Sequence, residues 1–141
     1  MTTALSTMGK LADNLKSTHE ITIKQLTRNY DVYVQEKEDP YFNTTITVKW
    51  YKELQHLMKQ TNSQLESIQD IPVLMMTAER DKITDITNSK HWQIRQKLSE
   101  FQYKEWKNCF HDLFHEPERD DVYHYTEAFM HNSLRSLGYI V

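Results

Sequence analysis

Glycine is scarce in this sequence. Gly9 and Gly138 are the only two in 141 residues, where average usage of about 7% would supply roughly ten. Chemistry built on a glycine-rich loop is therefore excluded: no phosphate cradle, no dinucleotide fingerprint and no G-x-S-x-G nucleophile elbow. Cysteine is nearly absent too. Cys109 stands alone, so no internal disulfide can form and a reducing, cytoplasmic compartment is expected. The longest apolar run, Ile71 to Met76, falls far short of the ~20 residues that cross a bilayer, so no transmembrane segment is expected. Residues 1–10 show no basic segment leading into an apolar one, which disfavours a secretory signal. No charge sign dominates either. Seventeen Lys and Arg against twenty Asp and Glu leave a net −3, and their scatter gives no footprint for nucleic acid.

The remainder suffices for one domain, with 38% hydrophobic and 26% charged residues. Residues 1–69 read as helices. Leu5, Met8, Leu11 and Leu15 fall at helical spacing. A second stretch, Leu26 to Gln35, carries Tyr30, Val32 and Tyr33 and stops before Asp39-Pro40, since proline disfavours helix at its predecessor. In the third and strongest, Ile46, Trp50, Leu54, Leu57, Met58 and Leu65 form an apolar stripe opposite Lys49, Lys52, Glu53, Gln55 and Lys59. It is expected to fray near Asn62.

At Asp70 the pattern changes. Ile71 to Thr77 is a short apolar run, as in a strand buried on both faces of a parallel sheet, with Pro72 suited to its beginning. A polar turn, Ala78 to Lys82, leads to a helix through Trp92, Ile94, Leu98 and Phe101. Tyr103 to Phe110 reads as a second strand, mixed in polarity and hence nearer the sheet edge. A last helix runs from about Glu118 to Ser136, with Gly138 as its C-cap. The class is α/β: two parallel strands with a helical crossover. Two strands are not a stable sheet, so this is part of something larger.

In such a sheet, functional residues gather past the carboxyl ends of the strands. Asp81 follows the first strand and His111 the second. A carboxylate and an imidazole at one sheet edge form the acid–histidine part of a nucleophilic relay, in which the acid fixes the imidazole tautomer. Spacing alone leaves a second account open, with Asp81 a turn residue and His111 an ordinary strand-end histidine. A zinc reading rests on His111 and His115, four apart as in H-E-x-x-H, with Glu127 as a conceivable third ligand. Pro117 follows too soon for that helix, and no metal is expected. Cys109, two before His111, reads as a small buried apolar residue rather than a nucleophile.

At these residues the sequence resembles the α/β-hydrolases, in the branch of lysophospholipases, monoacylglycerol lipases and serine aminopeptidases. Ile71-Pro-Val-Leu-Met-Met-Thr-Ala-Glu-Arg-Asp-Lys-Ile-Thr-Asp85 is similar to that branch's acid strand, and His111-Asp-Leu-Phe-His-Glu116 to its histidine motif. Asp39-Pro-Tyr41 and the Trp50 helix are similar to the segment joining cap to final core, so the resemblance spans about residues 25–141. It implies the C-terminal part of an α/β-hydrolase fold. Residues 1–69 would be a helical cap and connecting helix, and 70–141 a core segment. Asp81 would be the triad acid and His111 the general base, with Asp85 and Glu116 shaping their loops. Glu79, Asn108 and Cys109 stand where the family carries Gly or small residues.

The nucleophile is missing. Ser6, Ser17, Ser63 and Ser67 precede Asp81, none with glycine two before or after it. The implied protein is a fragment of a serine-type carboxylic-ester hydrolase, without cofactor, whose partners are the N-terminal half of the fold and, when complete, a lipid or other small ester. The Tyr30–Tyr33 face would line a cap over an acyl chain, and peripheral membrane contact is implied. Alone, the chain is expected to be inactive. The rival from another class is a non-catalytic helical interaction module derived from a hydrolase.

Overall fold

The computed structural model describes residues 12–64, 69–95 and 97–140. Of the expected first helix, Leu5, Met8 and Leu11 lie outside the described residues. Beyond them the helical expectation is corrected, because Lys16–Thr18 is a strand, β1. It pairs antiparallel with β2, Thr45–Thr47, in the register Lys16↔Thr47, Ser17↔Ile46 and Thr18↔Thr45. The physical reason is the run Thr44-Thr-Ile-Thr-Val48. Consecutive β-branched side chains lose rotamer freedom in a helix and fit an extended backbone.

Between these strands lie two short helices, α1 (Ile23–Leu26) and α2 (Tyr30–Lys37), where one was expected. Asn29 separates them and caps α2, its side chain accepting from Asp31 N–H at 3.1 Å. The third helix, α3, runs Val48–Ser63 with Thr47 as N-cap, accepting from Trp50 N–H at 3.1 Å. Ile46 thus belongs to β2, and Leu65 lies outside the described residues. Much of the α3 stripe is exposed, with Trp50 at 52% and Leu57 and Met58 each at 58%, while Leu54 is half-buried.

The second half follows the expected order, with shifted bounds. Strand β3 is Val73–Ala78 and β4 is Phe101–Trp106. They pair in parallel from Val73↔Phe101 to Ala78↔Trp106. Helix α4, Ile86–Arg95, is the crossover. It ends before Leu98, and Phe101 opens β4 instead of closing the helix, with its ring 5.7 Å from that of Trp92. The side chain of Ile94 is outside the described residues. Burial on both faces is not met: β3 is half-buried along Val73–Thr77 and buried only at Ala78. Among the described residues β4 is its sole strand neighbour, so its other edge is bare.

Helix α5, Arg119–Ser136, covers the sheet. Tyr125 meets Trp106 edge-on at 5.8 Å, and Ser133 donates to Glu100 at 2.8 Å. Gly138 ends it at φ +86°. The Gly138 N–H reaches Arg135 and the Tyr139 N–H reaches Leu134, both at 3.0 Å, which is a Schellman motif. The core is small and sits at the strands' carboxyl end, where Ala78, Cys109, Leu113 and Val122 pack with Met76 and Trp106.

Candidate active site

Parallel pairing sets Ala78 beside Trp106, so the chain leaves both strands at one edge. Asp81 stands three residues past β3 and His111 five past β4. The structure brings them together: His111 Nδ1 lies 2.9 Å from Asp81 Oδ2. The Asp81 side chain is 7% exposed and that of His111 36%. Asp81 is also held by its own loop. Its Oδ1 accepts from the backbone N–H of Ile83 at 2.7 Å and Thr84 at 2.9 Å. Its Oδ2 accepts from the Thr84 hydroxyl at 2.5 Å.

Four donors thus fill the acceptor sites of one carboxylate. Burial pushes the Asp81 carboxyl upward, but bonds from Thr84, His111 and Ile83 outweigh it and hold the group below its ordinary value. An ionised Asp81 is acceptor-only, so the proton of the pair sits on His111 Nδ1. In the neutral imidazole, Nε2, without a hydrogen bond to the described residues, keeps its lone pair. Sequence reading did not single out Thr84, although Asp-x-x-Thr is a recognisable loop-closing signal.

Asp85 serves the same loop. It precedes α4, accepts from Thr87 N–H at 2.9 Å and so acts as that helix's N-cap. Asn108 has φ +60°, a left-handed conformation that Asn tolerates better than most residues. That is why a glycine would suit the position. Glu79, at the other unusual position, accepts from Asn108 N–H at 2.8 Å and pairs with Lys107 at 2.9 Å.

Glu116 is the one charged residue in the buried class among the described residues, at 0% exposure. Its Oε1 accepts from Arg28 N–H and its Oε2 from Arg28 Nε, both at 2.6 Å. Arg28 Nη2 pairs with Glu118. The two carboxylates raise the guanidinium above its already high value, and Arg28 in turn lowers Glu118. Nearby, the Thr27 hydroxyl donates to His115 O at 2.8 Å and Asp112 N–H to Leu26 O at 2.9 Å. Arg28 is the second residue that sequence reading missed, and nothing local marks it.

His111 and His115 flank a 3₁₀ turn, Leu113–His115, rather than sharing one face of an α-helix, and His115 Nδ1 is bound to Asp112 at 2.7 Å. Cys109, Glu116 and Glu118 lie close enough to hold a metal ion, but the Arg28 guanidinium already bonds both carboxylates. Burial, aided by the Glu118 and Glu116 charges, pushes the Cys109 thiol up to about 11, which removes the thiolate that a Cys nucleophile needs. Two open clefts, of about 710 and 270 Å³, lie along α3, one against α4 and one against β1. Neither is lined by Asp81 or His111.

Residues 1–118 match the family profile described as serine aminopeptidase, S33. Phospholipase YtpA of Bacillus subtilis (strain 168) is 32% identical over 119 residues, which is 84% of this chain and 46% of that protein. The fold matches the monoacylglycerol lipase of Paleococcus ferrophilus with a TM-score of 0.78 at 24% identity, over 88% of this chain and 48% of that one. A soluble variant of the Saccharomyces cerevisiae monoglyceride lipase, solved with a substrate analogue, gives 0.76 at 14% identity, over 92% and 48%. At these identities the two structures establish the α/β-hydrolase fold. The chain spans about half the length of each relative.

Proposed function

The chain belongs to the serine aminopeptidase, S33, family, and from that premise we propose that it carries the acid and the general base of a serine-type carboxylic-ester hydrolase of the lysophospholipase and monoacylglycerol lipase kind. The nucleophile serine comes from a half of the fold that this sequence does not contain. In this reading residues 1–69 are cap and connecting helix, 70–141 are core, and Asp85 and Glu116 support the two loops. The observation that carries the reading is the 2.9 Å contact between His111 Nδ1 and Asp81 Oδ2, with Nε2 unbonded among the described residues.

The chemistry follows from that tautomer. Nε2 takes the proton of the serine hydroxyl as its oxygen attacks the ester carbonyl, and Asp81 stabilises the imidazolium so formed. His111 then returns the proton to the leaving alcohol, giving an acyl-enzyme. Water, deprotonated by the same nitrogen, then attacks the acyl carbon; the bond to the serine oxygen breaks, that oxygen takes the proton back from Nε2, and the carboxylic acid is released. No cofactor enters these steps. The substrate proposed is a lipid or other small ester.

A fluorophosphonate probe tests the reading. The chain alone is expected to show no serine labelling and no ester hydrolysis above background. Mixing it with the nucleophile-bearing half of a relative is expected to restore labelling, and His111→Ala to abolish that gain. Labelling of the isolated chain at a serine would overturn the proposal. The uncovered α3 face favours a second reading, a non-catalytic interaction module. Cooperative folding as a monomer, with no gain from the added half, would select it.

A further inference from the structure

The bonds around Glu116 bracket the histidine. Just before His111, Cys109 O accepts from Arg80 N–H at 3.0 Å, which ties the strand exit to the acid's own loop. Just after it, Asp112 N–H donates to Leu26 O. Thr27 then holds His115 O at 2.8 Å, and Arg28 holds Glu116 and Glu118. Three consecutive residues, 26 to 28, therefore bind four positions of the loop that follows His111. Only the Arg28 contacts are charge-assisted, and both oxygens of the buried Glu116 carboxylate depend on that one residue.

We propose that Arg28 is a positioning residue for the Asp81–His111 pair: its fork, gripping Glu116 and Glu118, holds the loop in the conformation that brings Nδ1 to the acid. The proposal rests on the reading of that pair as a proton relay. Geometry makes the fork, and not charge alone, the operative feature. Nε and Nη2, set apart on one rigid plane, serve two different carboxylates at once, whereas a lysine ammonium must reach both from a single nitrogen. With the fork gone, the loop keeps the Leu26 and Thr27 anchors and the Arg28 N–H bond to Glu116 Oε1, but loses both guanidinium contacts, and His111 is freer to swing from Asp81.

Nitrogen-15 shifts of the His111 imidazole, assigned against His111→Ala, report which ring nitrogen carries the proton. At neutral pH the chain is expected to show the Nδ1–H form. Arg28→Lys keeps a cation beside the buried carboxylate, and is expected to lose that preference and give a mixture of tautomers while circular dichroism stays native. Glu118→Gln keeps an acceptor for Nη2 but removes its charge, at a side chain 37% exposed, and is expected to move the shifts the same way by less. Wild-type shifts in folded Arg28→Lys overturn the proposal; if that variant does not fold, wild-type shifts in Glu118→Gln do. Asp81→Asn separates this outcome from failure of the underlying reading. If Asp81→Asn leaves the tautomer unchanged, the pair is no relay, whereas a change there with none in the Arg28 variant defeats the positioning role alone.

Discussion

Around Glu116, no buried side-chain nitrogen or oxygen of the described residues lacks a partner, whereas along α3 the large apolar side chains of Trp50, Leu57 and Met58 lie open. The first region is closed by groups from within the chain. Arg28, Thr27 and Leu26 meet the histidine loop, and Val122 and Cys109 are wholly buried beneath it. The second has the amphipathic pattern of a packed helix without the packing. Strand β3 shows the same contrast at its two edges, one laddered to β4 and the other, among the described residues, bare. An apolar stripe more than half exposed marks a surface made to be covered. The difference separates what this sequence completes from what it leaves to another element.

Breaking the closed region is expected to cost most. Arg28→Ala leaves the Glu116 carboxylate in the interior with one backbone N–H and no counter-charge, and loss of one partner of a buried pair costs about 3–5 kcal/mol. Urea unfolding measures it, and a loss within about 0.5 kcal/mol would place Glu116 in contact with water. Next comes Val122→Ala, which opens a void in the core where Val122 is 0% exposed, at about 2 kcal/mol. The same measurement gauges how far Ala78 and Leu113 relax into the gap.

A smaller effect is tied to pH. Asp81 is held below its ordinary value, so its contribution is present above the unfolded carboxyl's pKa of about 3.9 and is lost as pH falls through the lower folded value. The stability gap between the wild type and Asp81→Asn should therefore shrink on acidification below about pH 4. A gap that stays constant from pH 7 to pH 3 would contradict the bonding described for its carboxylate. Smallest is the change in the open region. Leu57→Lys with Met58→Lys should alter monomer stability by within about 0.5 kcal/mol, yet reduce self-association in sedimentation. A large loss of stability would show that the stripe is covered after all.

The sequence showed the second half well because its signals are local. A proline-led apolar run, a polar turn and a capped helix each declare themselves within a few residues, and parallel pairing then sets Asp81 and His111 at one edge. The bounds of β4 were shifted because Phe101 suits the end of an amphipathic helix and the start of a strand equally. The antiparallel pair of β1 and β2 was hidden because Ile46 falls in register with the α3 stripe, and periodicity outweighed the β-branched run around it. Arg28 was illegible for a different reason. Its partners Glu116 and Glu118 are fixed only by the tertiary fold, and no spacing rule connects residues so far apart.

That separation has a kinetic consequence. The Arg28–Glu116 bond joins residues 88 apart, and closing such a loop costs about 4 kcal/mol of chain entropy, against about 2 for a ten-residue loop. Local elements such as α5 and the β3–α4–β4 crossover have far less entropy to overcome. The contacts of residues 26–28 with the histidine loop are therefore expected to form late, on the native side of the folding barrier. Weakening them should leave the folding rate nearly unchanged and speed unfolding instead. The imidazole would thus reach its acid only as the last step of assembly, and be the first to leave it.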